Sequence, residues 1–274
     1  MIESYRSAVA LAECDEMGHM NIQHYAARAE AAGAVLAALG GVDAAMPGWL
    51  HLRFHREMRA GDRLAVRSGM IVHEGAHEGA DVLQHLIENA GTRLVTATCL
   101  AGYREACPPA PAADPAPEAL PRSIGGQARD GFTGPHVTHL APVMPADTGP
   151  VGAGPDGAGP DGAMTFAGFL ARVSRAQAHL WALAGLDRRA QADAGLGTAS
   201  LELRVTRHAP ALPGAALRIH TSFVPPAGKV LRYRHEAENA ATGETLFTAE
   251  GAGVVIDLAT RRAVVPPLSP TQFA

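Results

Sequence analysis

Two stretches of the chain carry apolar residues at helical spacing, and they carry them in the same order. Tyr25, Ala29, Ala32, Leu36 and Leu39 step by four, three, four and three, and Phe169, Val173, Ala176, Leu180 and Leu183 repeat those steps. This predicts two amphipathic helices, each burying one stripe. After each helix the period changes to two. Leu50, Leu52 and Phe54 interleave with His51, Arg53 and His55, and Leu201, Leu203 and Val205 interleave with Glu202, Arg204 and Thr206, the pattern of half-buried antiparallel strands. Both stretches lead through a glycine turn to a further strand, at Gly61 to Val66 and at Gly214 to Ile219. Leu94 to Ala97 follows Gly91 much as Leu246 to Ala249 follows Gly243. Each half therefore reads as a strand, a helix and four strands, an α+β chain built from an internal repeat.

The first unit spans residues 1–105 and the second 133–274. Between them, over 106–132, lies a segment rich in proline and alanine, densest from Cys107 to Pro121, a composition that predicts an extended, weakly packed linker. A second irregular stretch, glycine- and proline-rich over residues 152–163, falls where the first half carries its richest polar cluster.

Composition narrows the function. Of 274 residues, 47% are hydrophobic and 18% charged, enough to bury a globular core. The net charge of −4 supplies no general positive field for a phosphate backbone, so nucleic acid is not an expected partner. Glu3 interrupts the start of the chain, and Asp43 and Pro47 interrupt its most apolar stretch, so neither an export leader nor a membrane span is expected. The three cysteines, Cys14, Cys99 and Cys107, form neither a disulfide framework nor a zinc ribbon, which fits a reducing cytoplasm. The thirteen histidines match no metal-ligand spacing, and no phosphate-binding glycine motif follows a strand. No cofactor and no metal are expected.

The polar cluster runs from Glu13 to Tyr25, just before the first helix. The first N–H groups of a helix have no intrahelical partners and carry a partial positive charge, so they can hold an oxyanion. A carboxylate beside them can attack a bound ester or thioester carbonyl, or take a proton from an attacking water. Gly18 would let the backbone approach a substrate closely. The same residues also admit a structural reading, with Asn21 as an N-cap, Asp15 complementing the helix dipole and His19 in solvent.

The run Asp15-Glu16-Met17-Gly18-His19-Met20-Asn21 followed by Tyr25, at a strand-to-helix junction with four strands after it, resembles the hotdog-fold thioesterases. It is especially similar to the 4-hydroxybenzoyl-CoA thioesterase type and its acyl-ACP thioesterase relatives. The resemblance implies a tandem double hotdog, each unit a curved antiparallel sheet wrapped around a long central helix, with substrate tunnels at the interface. It implies an acyl-CoA or acyl-ACP hydrolase without a cofactor. Asp15 matches the family's catalytic acid as general base or nucleophile, and His19 and Asn21 its catalytic partners. The thioester carbonyl would be polarised by N–H groups near Gly18 and Asn21, with Gly18, Tyr25 and Gln177 as substrate-binding residues. Met17 departs from relatives that carry asparagine there.

Glu30 is the main rival acid, since some relatives keep theirs on the helix. Its structural reading is a charge on the side away from the apolar stripe. Cys14 reads as a small buried residue, Trp181 as packing, and Arg172, echoing Arg28, as a solvated edge or an ion pair. Arg53, Arg56, Arg59, Arg63 and Arg67 are available to a carrier's phosphates and remain unassigned. A hydratase or dehydratase of the same fold and a non-catalytic acyl-thioester binder are the alternatives, and two tandem chains are expected to be able to pair as a homodimer.

Overall fold

The computed structural model describes residues 1–43, 45–71, 81–104, 107–124, 132–148, 162–224 and 228–267. The predicted loop at 152–163 therefore lies outside the described residues except at its end. The first half contains β1 (Ile2–Ala8), α1 (Ile22–Gly40), β2 (Trp49–Phe54), β3 (Arg63–Ile71), β4 (Asp81–Asn89) and β5 (Leu94–Tyr103). The second contains β6 (Thr133–Pro142), α2 (Phe166–Leu183), α3 (Arg188–Asp193), β7 (Leu196–Arg207), β8 (Ala216–Val224), β9 (Val230–Asn239), β10 (Thr245–Asp257) and β11 (Arg262–Val264). A 3-10 turn precedes each long helix, over Leu11–Glu13 and Pro145–Asp147. The short α3 and β11 have no counterpart among the described residues of the first half and were not expected from the pattern.

The strands form one antiparallel sheet in the order β1-β3-β4-β5-β2-β7-β10-β9-β8-β6, with β11 beside β10. This order reads the same from either edge once the halves are exchanged. The seam is the β2–β7 pair, where Leu50 faces Val205 and Leu52 faces Leu203. Those four side chains join the main core with the buried stripes of α1 and α2. Leu39, at 72% exposed, and Leu183, at 38%, depart from the predicted stripes, while Leu36 and Leu180, one turn earlier, are buried. Gly41, at φ +67°, closes α1, with its N–H donating to Ala37 and Ala38 carbonyls, a left-handed conformation that glycine adopts without a Cβ clash.

The halves also repeat in polar detail. Ser4 Oγ lies 2.5 Å from Ser68 Oγ, which lies 2.6 Å from His85 Nδ1. Thr138, Thr221 and His235 repeat that chain at 2.6 and 2.7 Å. All six residues are buried.

The outer face differs from expectation. His51 and Glu202, predicted on half-solvated faces, are buried and hydrogen-bonded at 2.8 Å across the seam. The cause is residues 107–124 of the proline-rich segment, which pack as a strap over the sheet. Trp49, Ile71, Val82 and Leu100 point outward and form a second apolar cluster with Ala119 of the strap. Burying that cluster fixes the strap. Its backbone is then satisfied by the sheet's side chains: Arg53 Nη1 donates to the Leu120 carbonyl at 2.9 Å and the Gln84 carboxamide accepts from Ala116 N–H at 2.7 Å.

Candidate active site

The loop between β1 and α1 is tightly self-bonded. Asp15 N–H donates to the His19 carbonyl and Gly18 N–H to the Asp15 carbonyl, at 2.8 and 2.9 Å, with Gly18 at φ +77°, the left-handed turn position that favours glycine. Asp15 Oδ1 accepts from the Met17 and His19 N–H groups, both at 2.9 Å. This fixes a half-buried carboxylate whose other oxygen takes no hydrogen bond among the described residues.

The neighbouring expected residues are placed differently from one another. The His19 imidazole does not reach Asp15. Its Nε2 lies 3.0 Å from Glu57 Oε2 and 2.9 Å from Arg59 Nη2, so only its backbone serves the acid. Asn21 occupies the N-cap position of α1, yet its side chain makes no capping bond. Tyr25 is buried against Phe54 in an edge contact, centroids 5.4 Å apart at 76°. Burial pushes its hydroxyl's pKa up, against the opposing pull of a hydrogen bond with the Met58 backbone. Gln177 is half-buried beside the Tyr233 hydroxyl and Ser200 of the second half. Cys14 packs partly buried against the core and Trp181 does likewise, as expected.

The amides expected to polarise a carbonyl are already taken. Gly18 N–H is held by Asp15, and Asn21 N–H donates to the Glu13 carbonyl at 2.9 Å. The open donors are the next two, Ile22 and Gln23, which helix geometry leaves without intrahelical partners and which donate to no other group among the described residues. The mouth of α1 is braced by Arg28, whose Nη2 lies 2.5 Å from Glu13 Oε1. Arg172 makes the corresponding pair with Asp147, Nη2 to Oδ2, at 2.5 Å. The arginine echo is thus a pair of largely buried ion pairs.

Glu30 corrects its structural reading. It is 9% exposed and faces α2, with Oε1 accepting from Phe166 N–H at 2.9 Å and Oε2 from Ala167 N–H at 3.1 Å. Burial raises its pKa to about 7, although those two amides and Arg207 pull the other way. The superposition of the two helical stripes pairs Glu30 with Ser174, so the asymmetry is present in the sequence. What sequence does not show is that the helices lie against each other and point residue 30 at the far mouth.

A cavity of about 610 Å³ opens beside β2, lined among others by Arg53, Phe54, Arg56, Arg122 and Leu201. It gathers two of the unassigned arginines and shares Phe54 with the Tyr25 contact. Asp15 does not line it.

Residues 160–271 match the family model of the thioesterase-like superfamily. No curated protein sequence matches the chain. Among solved structures, a Lactobacillus plantarum protein described as an oleoyl thioesterase superimposes with a TM-score of 0.64 at 12% identity, over 92% of this chain and 95% of its own. An acyl-ACP thioesterase from Bacteroides thetaiotaomicron gives 0.60 at 9%, over 91% and 96%. A 12:0-ACP thioesterase from Umbellularia californica gives 0.59 at 11%, over 91% and 92%.

Proposed function

We propose that this chain, whose residues 160–271 match the thioesterase-like superfamily, is a hotdog-fold thioesterase that hydrolyses acyl thioesters at the mouth of α1. The products are a carboxylic acid and a free thiol. In this reading the chain is a tandem double hotdog, with units over residues 1–105 and 133–274 joined by the segment 106–132, working in the cytoplasm on acyl-CoA or acyl-ACP.

The observation that carries the reading is Asp15: a carboxylate locked by two backbone amides, with one oxygen unengaged, in the loop that ends at the open Ile22 and Gln23 amides. The thioester carbonyl oxygen accepts from those amides, which stabilise the negative charge that builds on it. Asp15 takes a proton from water while the water oxygen bonds to the carbonyl carbon, or its free oxygen attacks that carbon directly. The carbon–sulfur bond then breaks and the thiolate leaves, taking up a proton; on the direct-attack route water then cleaves the acyl–Asp15 anhydride, releasing the carboxylic acid and restoring the carboxylate. His19, tied to Glu57 and Arg59, anchors the loop. The Asn21 side-chain carboxamide, which makes no capping bond, orients the water. The acyl chain runs between α1 and α2, where alanines leave room.

The test is release of free thiol from a panel of acyl-CoAs by wild type and Asp15→Asn. The asparagine keeps the Oδ1 acceptor for Met17 and His19, so the loop holds, and kcat falls by roughly 10²–10⁴. Retained turnover removes Asp15 from the chemistry. Hydration of an enoyl-CoA without thiol release would favour the hydratase alternative.

A further inference from the structure

The two helix mouths are built alike and finished differently. In each, the N-cap residue donates its N–H to a carbonyl of the preceding 3-10 turn, Asn21 to Glu13 and Thr165 to Asp147, at 2.9 and 3.1 Å. In each, the residue before it donates to a facing carbonyl, Met20 to Met58 and Met164 to Ala211, both at 2.8 Å. Ile22 and Gln23 correspond to Phe166 and Ala167. The residue reaching across from the opposite helix is Glu30 at the α2 mouth and Ser174 at the α1 mouth. Ser174 donates to the Leu170 carbonyl at 3.0 Å and lies 3.5 Å from Gln23 Oε1. It is too short to reach the amides.

We propose that Glu30 is a built-in occupant that closes the α2 mouth, and that Ser174 is the position that leaves the α1 mouth open, so that each chain takes one thioester. A carboxylate accepting from both amides fills the place that a thioester carbonyl oxygen would take. Ionised, it binds them more strongly than a neutral carbonyl does. The groups facing Glu30 besides those amides are Arg207 of β7 and, from β5, Cys99 and Tyr103, whose thiol and hydroxyl are affected by its charge. The assignment of the open mouth rests on the proposed hydrolysis, whereas the occupancy of the closed one does not.

Two measurements test it. Ser174→Glu places a carboxylate at the Ile22 and Gln23 amides and is expected to lower kcat/KM for thiol release by 100-fold or more with the circular dichroism spectrum unchanged. Ser174→Ala stays within about threefold of wild type, since the amides remain open. Separately, the Phe166 and Ala167 amide proton resonances of the wild-type chain are expected to shift with pH, with a midpoint near the Glu30 value of about 7. That titration is expected to vanish in Glu30→Gln. Full activity in a folded Ser174→Glu chain overturns the role of Ser174. Amide resonances that neither titrate nor respond to Glu30→Gln overturn the occupancy. If wild type releases no thiol from any acyl-CoA, the hydrolase reading fails, and the resonance measurement still decides whether Glu30 holds the mouth.

Discussion

A buried carboxyl whose pKa sits at about 7 keeps its proton in the folded chain where the unfolded chain, near 4.5, has lost it. Between those values the native state binds more protons, so Glu30 makes stability fall as pH rises, by on the order of 3 kcal/mol in all. Urea denaturation across pH 4.5 to 7 should therefore show wild type losing ground to Glu30→Gln, and a constant gap between the two would contradict the burial of a titrating group there. The buried histidines act in the opposite sense. Burial lowers His85 to about 4 and His235 to about 3, from an ordinary 6.5. Each is neutral in the fold, so its contribution is complete above pH 6.5 and is lost as pH falls toward those values. His85→Gln keeps a polar partner for Ser68 without an ionisable ring, and its stability should decline less steeply than wild type's between pH 6.5 and 4.

At the level of elements, each long helix is tied to the turn before it by an arginine in its second turn. Arg172 also donates to the Pro142 carbonyl at 3.2 Å, so its guanidinium joins β6, the turn and α2. Arg172→Ala strands Asp147 and should cost about 3 kcal/mol in urea denaturation, whereas replacing both partners with apolar residues of similar size should recover most of it. The helices and strands were legible in the sequence because periods of 3.6 and 2 are local properties. The Asp15 loop was legible as a motif. The identity of its open amides was not, because whether Gly18 or Asn21 is already hydrogen-bonded depends on how the loop closes. Glu30 was misread because amphipathicity divides a helix into one buried stripe and one wet face. It does not register a second helix covering part of the polar side. His51 and Glu202 were misread for the related reason that period-two alternation cannot reveal a strap over the outer face.

Across the whole molecule, the β2–β7 seam makes one sheet of two halves, and its outer side is locked by Glu202. Burial alone would raise that carboxyl's pKa, but hydrogen bonds from His51 and from the Arg122 and Ser123 amides, at 2.9 and 2.6 Å for the two amides, outweigh it and hold it at about 2. One side chain thus joins β7, β2 and the strap. Glu202→Gln is expected to weaken hydrogen bonds that each draw strength from a full negative charge. The readout is faster hydrogen exchange at the Arg122 and Ser123 amides, and unchanged exchange there would mean that the apolar cluster with Ala119 alone holds the strap down.

The unequal pair at positions 30 and 174 depends on both halves sharing a polypeptide. In an assembly of identical subunits every position occurs twice, so an acid at that point of the helix would stopper both entrances and a serine would leave both ajar. On the proposed reading, fusion frees the two copies to drift apart, one keeping a working doorway while the other turns its doorway into a bolt between the halves.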